Sequence, residues 1–186
     1  AQVRDSYIVA EDHGGVVLID QHAAHERVLF ERFLAAAEDG RVETQRLAFP
    51  IIVELSAHDQ PVFDEERDEF RRLGFLAEPF GDGSVRLDGV PVVFAKVDPE
   101  SLFRELLGEA REARSTTAAS VAVRHRMITT AACKAAIKIR RPMTVVEMQG
   151  LLDDLAEVAN PTTCPHGRPA QFRLTVEEIE RAFRRL

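Results

Sequence analysis

A chain of 186 residues, 45% hydrophobic and 30% charged, is large enough for one globular domain or for one domain carrying a smaller inserted one. No run approaches the roughly 18 consecutive apolar residues of a membrane span, and the start, AQVRDSYIVAEDHGG, has neither the basic nor the apolar region of a secretory signal, so a cytosolic chain with no membrane partner is expected. The formal net charge of −7 argues against a self-sufficient nucleic-acid binder, because nonspecific affinity comes mainly from phosphate neutralisation; double-stranded DNA should be bound weakly and in a salt-sensitive way.

In chain order, residues 5–10 (DSYIVA) and 15–20 (GVVLID) read as two strands of a hairpin around a turn at 11–14. Opening on Ala1 and entering a strand almost at once, the chain also reads as part of a longer protein. Residues 21–38 form a helix. At about 100° per residue Leu29 and Phe33 share a face with His22 and Glu26, while Ala24, Val28, Phe30 and Leu34 carry apolar surface round the rest. A helix apolar nearly all round is covered on several sides, which directs His22 and Glu26 at other protein or at a ligand.

From 46 to 114 the texture changes to a strand over 47–55, a charged amphipathic helix over 57–73, short strands at 75–80, 85–87 and 90–95, and a helix over 99–113. Such a block can stand as an inserted subdomain. An Ala-rich helix over 118–139 is stopped by Arg141-Pro142, because proline disfavours helix in the residue before it. Thr144 with Glu147 and Thr175 with Glu178 make capping boxes for two further helices, the first running to about residue 158, with the loop 160–169 (NPTTCPHGRP) between them. The fold class is α+β.

Two stretches raise a chemical question. IDQHAAHE (19–26) sets Asp20, His22 and Glu26 beside an apolar run, where an unpartnered charge costs several kcal/mol. In the proline-stiffened loop, Cys164 and His166 stand two residues apart. Each has a plain reading: His22 and Glu26 as a helix-face pair, Cys164 as a small packed hydrophobe. Taken together, Asp20, His22, Glu26, Cys164 and His166 supply oxygen, nitrogen and sulfur donors sufficient for one or two divalent cations. Cys133 and Cys164 could pair, but a reducing compartment favours metal binding or chemistry, and Cys133 in an Ala-rich helix has a structural thiol as its plainer role. Lys134 and Lys138 share a face and, with Arg140, Arg141 and Arg168, form either a phosphate-binding patch or a solvated helix end.

These residues resemble a known family. Asp20-Gln21-His22-Ala23, then Glu26 and Glu31, match the DQHA(X)2E(X)4E signature of the endonuclease-bearing C-terminal domain of the MutL family of DNA mismatch repair proteins. Ala132-Cys133-Lys134, Cys164-Pro165-His166-Gly167-Arg168-Pro169 and Phe172-x-Leu174 look like further motifs of that domain in the same order. Gln45-Arg46-Leu47-Ala48-Phe49-Pro50 resembles the peptide by which such domains dock on the sliding clamp, with Gln45, Leu47, Phe49 and Pro50 as the contact residues.

The resemblance implies a homodimer with a discontinuous dimerisation and endonuclease subdomain, residues 1–45 and 115–186, interrupted by a smaller α/β regulatory subdomain at 46–114. It implies an N-terminal ATPase region elsewhere in the same protein, a sliding clamp of the DNA polymerase III beta subunit type as partner, the mismatch recognition protein MutS as an indirect one, and a nucleoid-associated location in the cytoplasm. The essential acids fall on Asp20 and Glu26, with His22, Cys164 and His166 as metal ligands. Catalytic manganese beside a structural or regulatory zinc is the expected cofactor pair, since thiolate favours zinc over magnesium. Glu31 is expected to orient the helix or another subdomain, and Cys133, Lys134 and Arg168 to support the site. Three readings stand at this point: a metal-dependent nicking endonuclease, a non-cutting dimerisation and clamp-docking module with structural zinc, and an unrelated zinc hydrolase whose QRLAFP is coincidence.

Overall fold

Strict alternation of apolar residues makes GVVLID a strand with two unlike faces: in β3 (Gly15–Asp20) Val17 and Ile19 are buried, while Val16, Leu18 and Asp20 point the other way and are half-buried. A computed structural model describes residues 1–115 and 120–185. The chain divides into two compact units, Ala1–Glu31 with Ala136–Leu186, and Arg32–Ala135. No helix among the described residues is long and apolar enough to cross a membrane.

The first unit is built on an antiparallel sheet in the order β1 (Gln2–Val3), β2 (Tyr7–Asp12), β3, β7 (Gln171–Thr175). Its inner face buries Ile8, Val17 and Ile19 against Ala24 and Val28 of α1 (Gln21–Glu38) and Met148, Leu151 and Leu155 of α5 (Val145–Glu157). Gly15 is required where β7 crosses: its φ is +134°, and a Cβ there would lie 2.1 Å from the Leu174 carbonyl oxygen. Both capping boxes form, Thr144 at the start of α5 and Thr175 at the start of α6 (Val176–Ala182).

The second unit holds the sheet β4 (Thr44–Glu54), β6 (Ser84–Pro91), β5 (Leu76–Pro79), together with α2 (Asp59–Arg72), α3 (Pro99–Ser115) and α4 (Ser120–Ala135). Phe63, Phe70, Phe75 and Phe103 meet with ring centroids 4.8 to 6.1 Å apart. Arg124 forks onto Glu69, whose carboxylate is otherwise buried.

Several sequence expectations shift. The strands expected at 85–87 and 90–95 are one strand, β6, followed by a 3-10 turn at Val92–Phe94. Gly89 continues the strand because the missing side chain lets the Gln45 carbonyl approach, 2.9 Å from where a Cβ would stand. Strands β1 and β7 were not expected; β7 gains its order from pairing with β3, a contact invisible locally. The Ala-rich helix ends at Ala135 instead of 139, since the Ile137 N–H is given to His25 Nδ1 (2.9 Å) and not to the helix ladder. Its expected start, Ala118, lies outside the described residues. The second compact unit takes in the end of α1 and the described residues of α4, its limits falling at 31/32 and 135/136. Apolar residues of α4, Val123, Met127, Ile128 and Ala131, are buried along with Leu102, Phe103, Leu106 and Ala110 of α3, the helix it packs beside, which ties α4 to that unit.

The Thr144 cap can be tested alone. Thr144→Ala is expected to cost about 1 kcal/mol, read as a lower urea midpoint with unchanged slope. The Glu147 carboxyl sits below its ordinary value through the Thr144 N–H and hydroxyl, so the box contributes above the usual glutamate range and its contribution fades as pH falls through the depressed value.

Candidate metal centre

α1 starts where Asp20 ends β3. The Asp20 Oδ1 accepts the N–H groups of His22 (2.9 Å) and Ala23 (3.0 Å), an N-cap that fixes the phase of the helix. Gln21, fully buried, holds that first turn in place: its Nε2 donates to the carbonyls of Asp5 (2.8 Å) and Arg141 (3.1 Å), and its Oε1 accepts from Gln2 Nε2 (2.6 Å). Gln21 was overlooked in the sequence, although its place inside DQHA was the available signal.

With the phase set, His22 and Glu26 stand one turn apart on one face. His22 Nδ1 lies 2.8 Å from the Ile137 carbonyl oxygen, which can only accept, so Nδ1 carries the proton and Nε2 is left to face Glu26 Oε1 at 3.3 Å. Glu26 is 1% exposed, and neither of its oxygens makes a hydrogen bond. An ionised carboxylate taken out of water without such partners costs several kcal/mol.

Across from Glu26 the loop supplies two more donors. Cys164, 1% exposed, rests on Ala23 and Ala170. Its N–H donates to the Arg168 carbonyl (2.8 Å) and its carbonyl accepts from the Gly167 N–H (2.9 Å), a turn that Gly167 closes at φ +81°. His166 is then brought round with Nδ1 3.6 Å from Glu26 Oε2, at the solvent side of the cluster. One donor atom each from Glu26, Cys164 and His166 lies within 4.8 Å of the others. An orphaned buried carboxylate beside a thiol and two imidazoles fits a borderline divalent cation such as zinc, and the donor set would hold manganese through its oxygen and nitrogens.

Asp20 serves as the helix cap and is not within the Glu26, Cys164 and His166 cluster; it lines a separate shallow cleft of about 280 Å³ with Tyr7, Leu18 and Phe172. Glu31 accepts backbone N–H groups from Ala159 and Asn160. Arg168 is exposed in the loop turn. Cys133, half-buried, and Lys134 lie in the other unit, where Lys134 pairs with Glu105 (2.7 Å). Arg141 pairs with Glu147 (2.7 Å), so two of the cations expected to face phosphate already have acids beside them. In β4 the pairing with β6 breaks between Arg46 and Ile51, lifting 47–50 out of the ladder. Phe49 is 83% exposed, Gln45 and Pro50 are exposed, and Leu47 is half-buried.

Fold and site define an α+β domain whose first helix and a proline-rich loop bring carboxylate, imidazole and thiol together. The chain belongs to the MutL C terminal dimerisation domain family, whose model matches residues 1–143. It is 39% identical over 185 residues to the DNA mismatch repair protein MutL of Clostridium beijerinckii, 35% to that of Clostridium botulinum strain Loch Maree and 40% to that of Koribacter versatilis. Each alignment covers 100% of this chain and 28% of the relative, so the chain spans little more than a quarter of the length of the proteins it matches.

Burial of Glu26 gives a direct expectation. Metal-free Glu26→Gln should be at least as stable as wild type in urea, because a neutral amide is cheaper to bury than a charge. Zinc at a hundredfold excess over its dissociation constant should stabilise the wild type by about 2.7 kcal/mol and Glu26→Gln far less; equal zinc responses would remove Glu26 from the site.

Proposed function

We propose that this chain is the dimerising, metal-dependent nicking end of a DNA mismatch repair protein, brought to its substrate by a sliding clamp. The observation that carries the reading is Glu26: a carboxylate buried to 1% exposure, with no hydrogen bond to either oxygen, facing Cys164, His166 and His22. Glu26, His22, Cys164 and His166 would hold the cation. A bound divalent ion supplies acidification of an attacking water and neutralisation of the phosphodiester's charge. The chain's own residues do the rest. The carbonyl of Ile137 keeps the His22 proton on Nδ1, so that Nε2 remains a donor of its lone pair. Asp20 commits Oδ1 to the helix cap, and its second oxygen is the proton acceptor this reading assigns to the attacking water.

Weak DNA affinity is what a net charge of −7 dictates, and it makes a recruiting partner necessary. The segment 47–50, lifted from the sheet with Phe49 outward, supports clamp docking. Dimerisation has its support in the outer face of the first sheet. By register Phe172 lies beside Leu18 and Leu174 beside Val16, and with Tyr7 they form an apolar face, Phe172 58% and Tyr7 44% exposed. A second copy would cover it.

One observation favours the non-cutting module instead: the buried thiol of Cys164 stands with Glu26 and His166, and a cysteine ligand is typical of structural zinc sites. Nicking of supercoiled plasmid in manganese, with and without clamp, decides between them. Because asparagine caps a helix as well as aspartate, Asp20→Asn keeps the fold and should lower nicking at least about 100-fold. Phe49→Ala should lose only the stimulation by clamp. No nicking by folded, metal-loaded protein would establish the docking module. In sedimentation equilibrium Phe172→Asp should shift the chain from dimer to monomer; an unchanged dimer would move the interface off the sheet.

A further inference from the structure

Glu31 ends the acidic signature yet touches none of the cluster's donors. Its Oε2 accepts the Ala159 N–H (2.7 Å) and its Oε1 the Asn160 N–H (3.2 Å), the two amides that follow the end of α5. One turn earlier on the same helix stands Arg27, a charged side chain only 9% exposed. Its Nε donates to the Thr163 carbonyl (2.6 Å), its Nη2 reaches the Thr163 hydroxyl (3.5 Å), and its Nη1 lies 3.6 Å from Glu31 Oε1. Between the two anchor points Asn160 ties the loop to itself: its Oδ1 accepts from the Thr162 hydroxyl (2.8 Å) and its Nδ2 donates to the Thr163 hydroxyl (3.2 Å). Thr163 also bridges to Pro169, and the residue after it is Cys164.

A single helix thus presents Glu26 to the cluster and, at its next position and one turn further on, grips both the entry of the loop and the residue preceding its thiol. We propose that Arg27 and Glu31 are positioning residues of the metal centre: as a paired clamp they set where Cys164 and His166 stand relative to Glu26, and so set metal affinity. The inference rests on the metal reading above. Two features set this pair apart from a general structural tie. The Arg27 fork ends on the backbone of the residue adjoining a donor. Loops are otherwise the most mobile carriers a donor can have, and outer-shell partners of this kind govern affinity tenfold to a hundredfold.

The test uses the dimerising chain with Glu31→Gln, which keeps volume and one acceptor, and Arg27→Lys, which keeps charge and loses the fork, modification at Cys164 being read apart from that at Cys133 by peptide mass spectrometry. Two readouts are taken: the rate at which a disulfide reagent modifies Cys164 in metal-free protein, and the cobalt(II) dissociation constant from the thiolate-to-metal charge-transfer band. Both variants should raise Cys164 modification at least about tenfold and weaken cobalt binding about 10- to 100-fold, with Glu177→Gln, on exposed α6, changing neither. Modification and affinity at wild-type values overturn the proposal. So does a rise in modification no larger than the fall in global stability measured by urea for the same variants, for that is the behaviour of a structural tie. A wild type without any charge-transfer band would sink the metal reading itself, while the modification rates still decide whether Arg27 and Glu31 hold the loop.

Discussion

Glu26 brings a carboxylate into a place where water hardly reaches it and no N–H or O–H among the described residues hydrogen-bonds to it. Folding tolerates such a residue only if something else repays the lost hydration, and the polar atoms near it include an imidazole nitrogen facing each oxygen and the sulfur of Cys164. None of these is a donor that a neutral, metal-free cluster can supply well: the His22 proton is held on the far nitrogen by the Ile137 carbonyl. The carboxylate is left without a hydrogen-bond partner among the described residues.

The surroundings are organised to keep Glu26 there. Asp20 sets the helix phase, Gln21 pins the first turn to the carbonyls of Asp5 and Arg141, and His25 takes the Ile137 N–H and so ends α4 early. Residues 20 to 31 therefore each answer to a different neighbour: sheet, post-helix segment, donor cluster, loop. Little of α1's early surface is left for solvent. Low amphipathicity, an odd feature for a helix of 18 residues, is the direct outcome of being contacted all round.

How much of this was legible depended on how local each signal was. β3, α1 and the two capping boxes lie where alternation, periodicity and the Thr-x-x-Glu pattern place them, since each rests on residues a few positions apart. That Glu26, Cys164 and His166 come together was legible by chemistry, as residue types too costly to leave idle near a core. β7 was not, because QFRLT is ordered by pairing with residues some 155 positions earlier. The role of Arg27 was likewise hidden: in sequence it is one more arginine on a helix, and only the Thr163 carbonyl beside it reveals its use. Asp20 carried two meanings at once, cap and acid, which no spacing rule separates.

Gly15 opposite Thr175 has a consequence in time. The first sheet joins both ends of the chain, so the loop closed by that pairing takes in the whole of the second unit, and its entropy cost must be met before the pairing gains anything. The hairpin of β2 and β3 keeps a bare edge until β7, made after the whole of the second unit, pairs with it. The second unit, contiguous in sequence, has no such wait. Cys164 lies beyond the second unit in sequence as well, so its approach to Glu26 waits on the same closure.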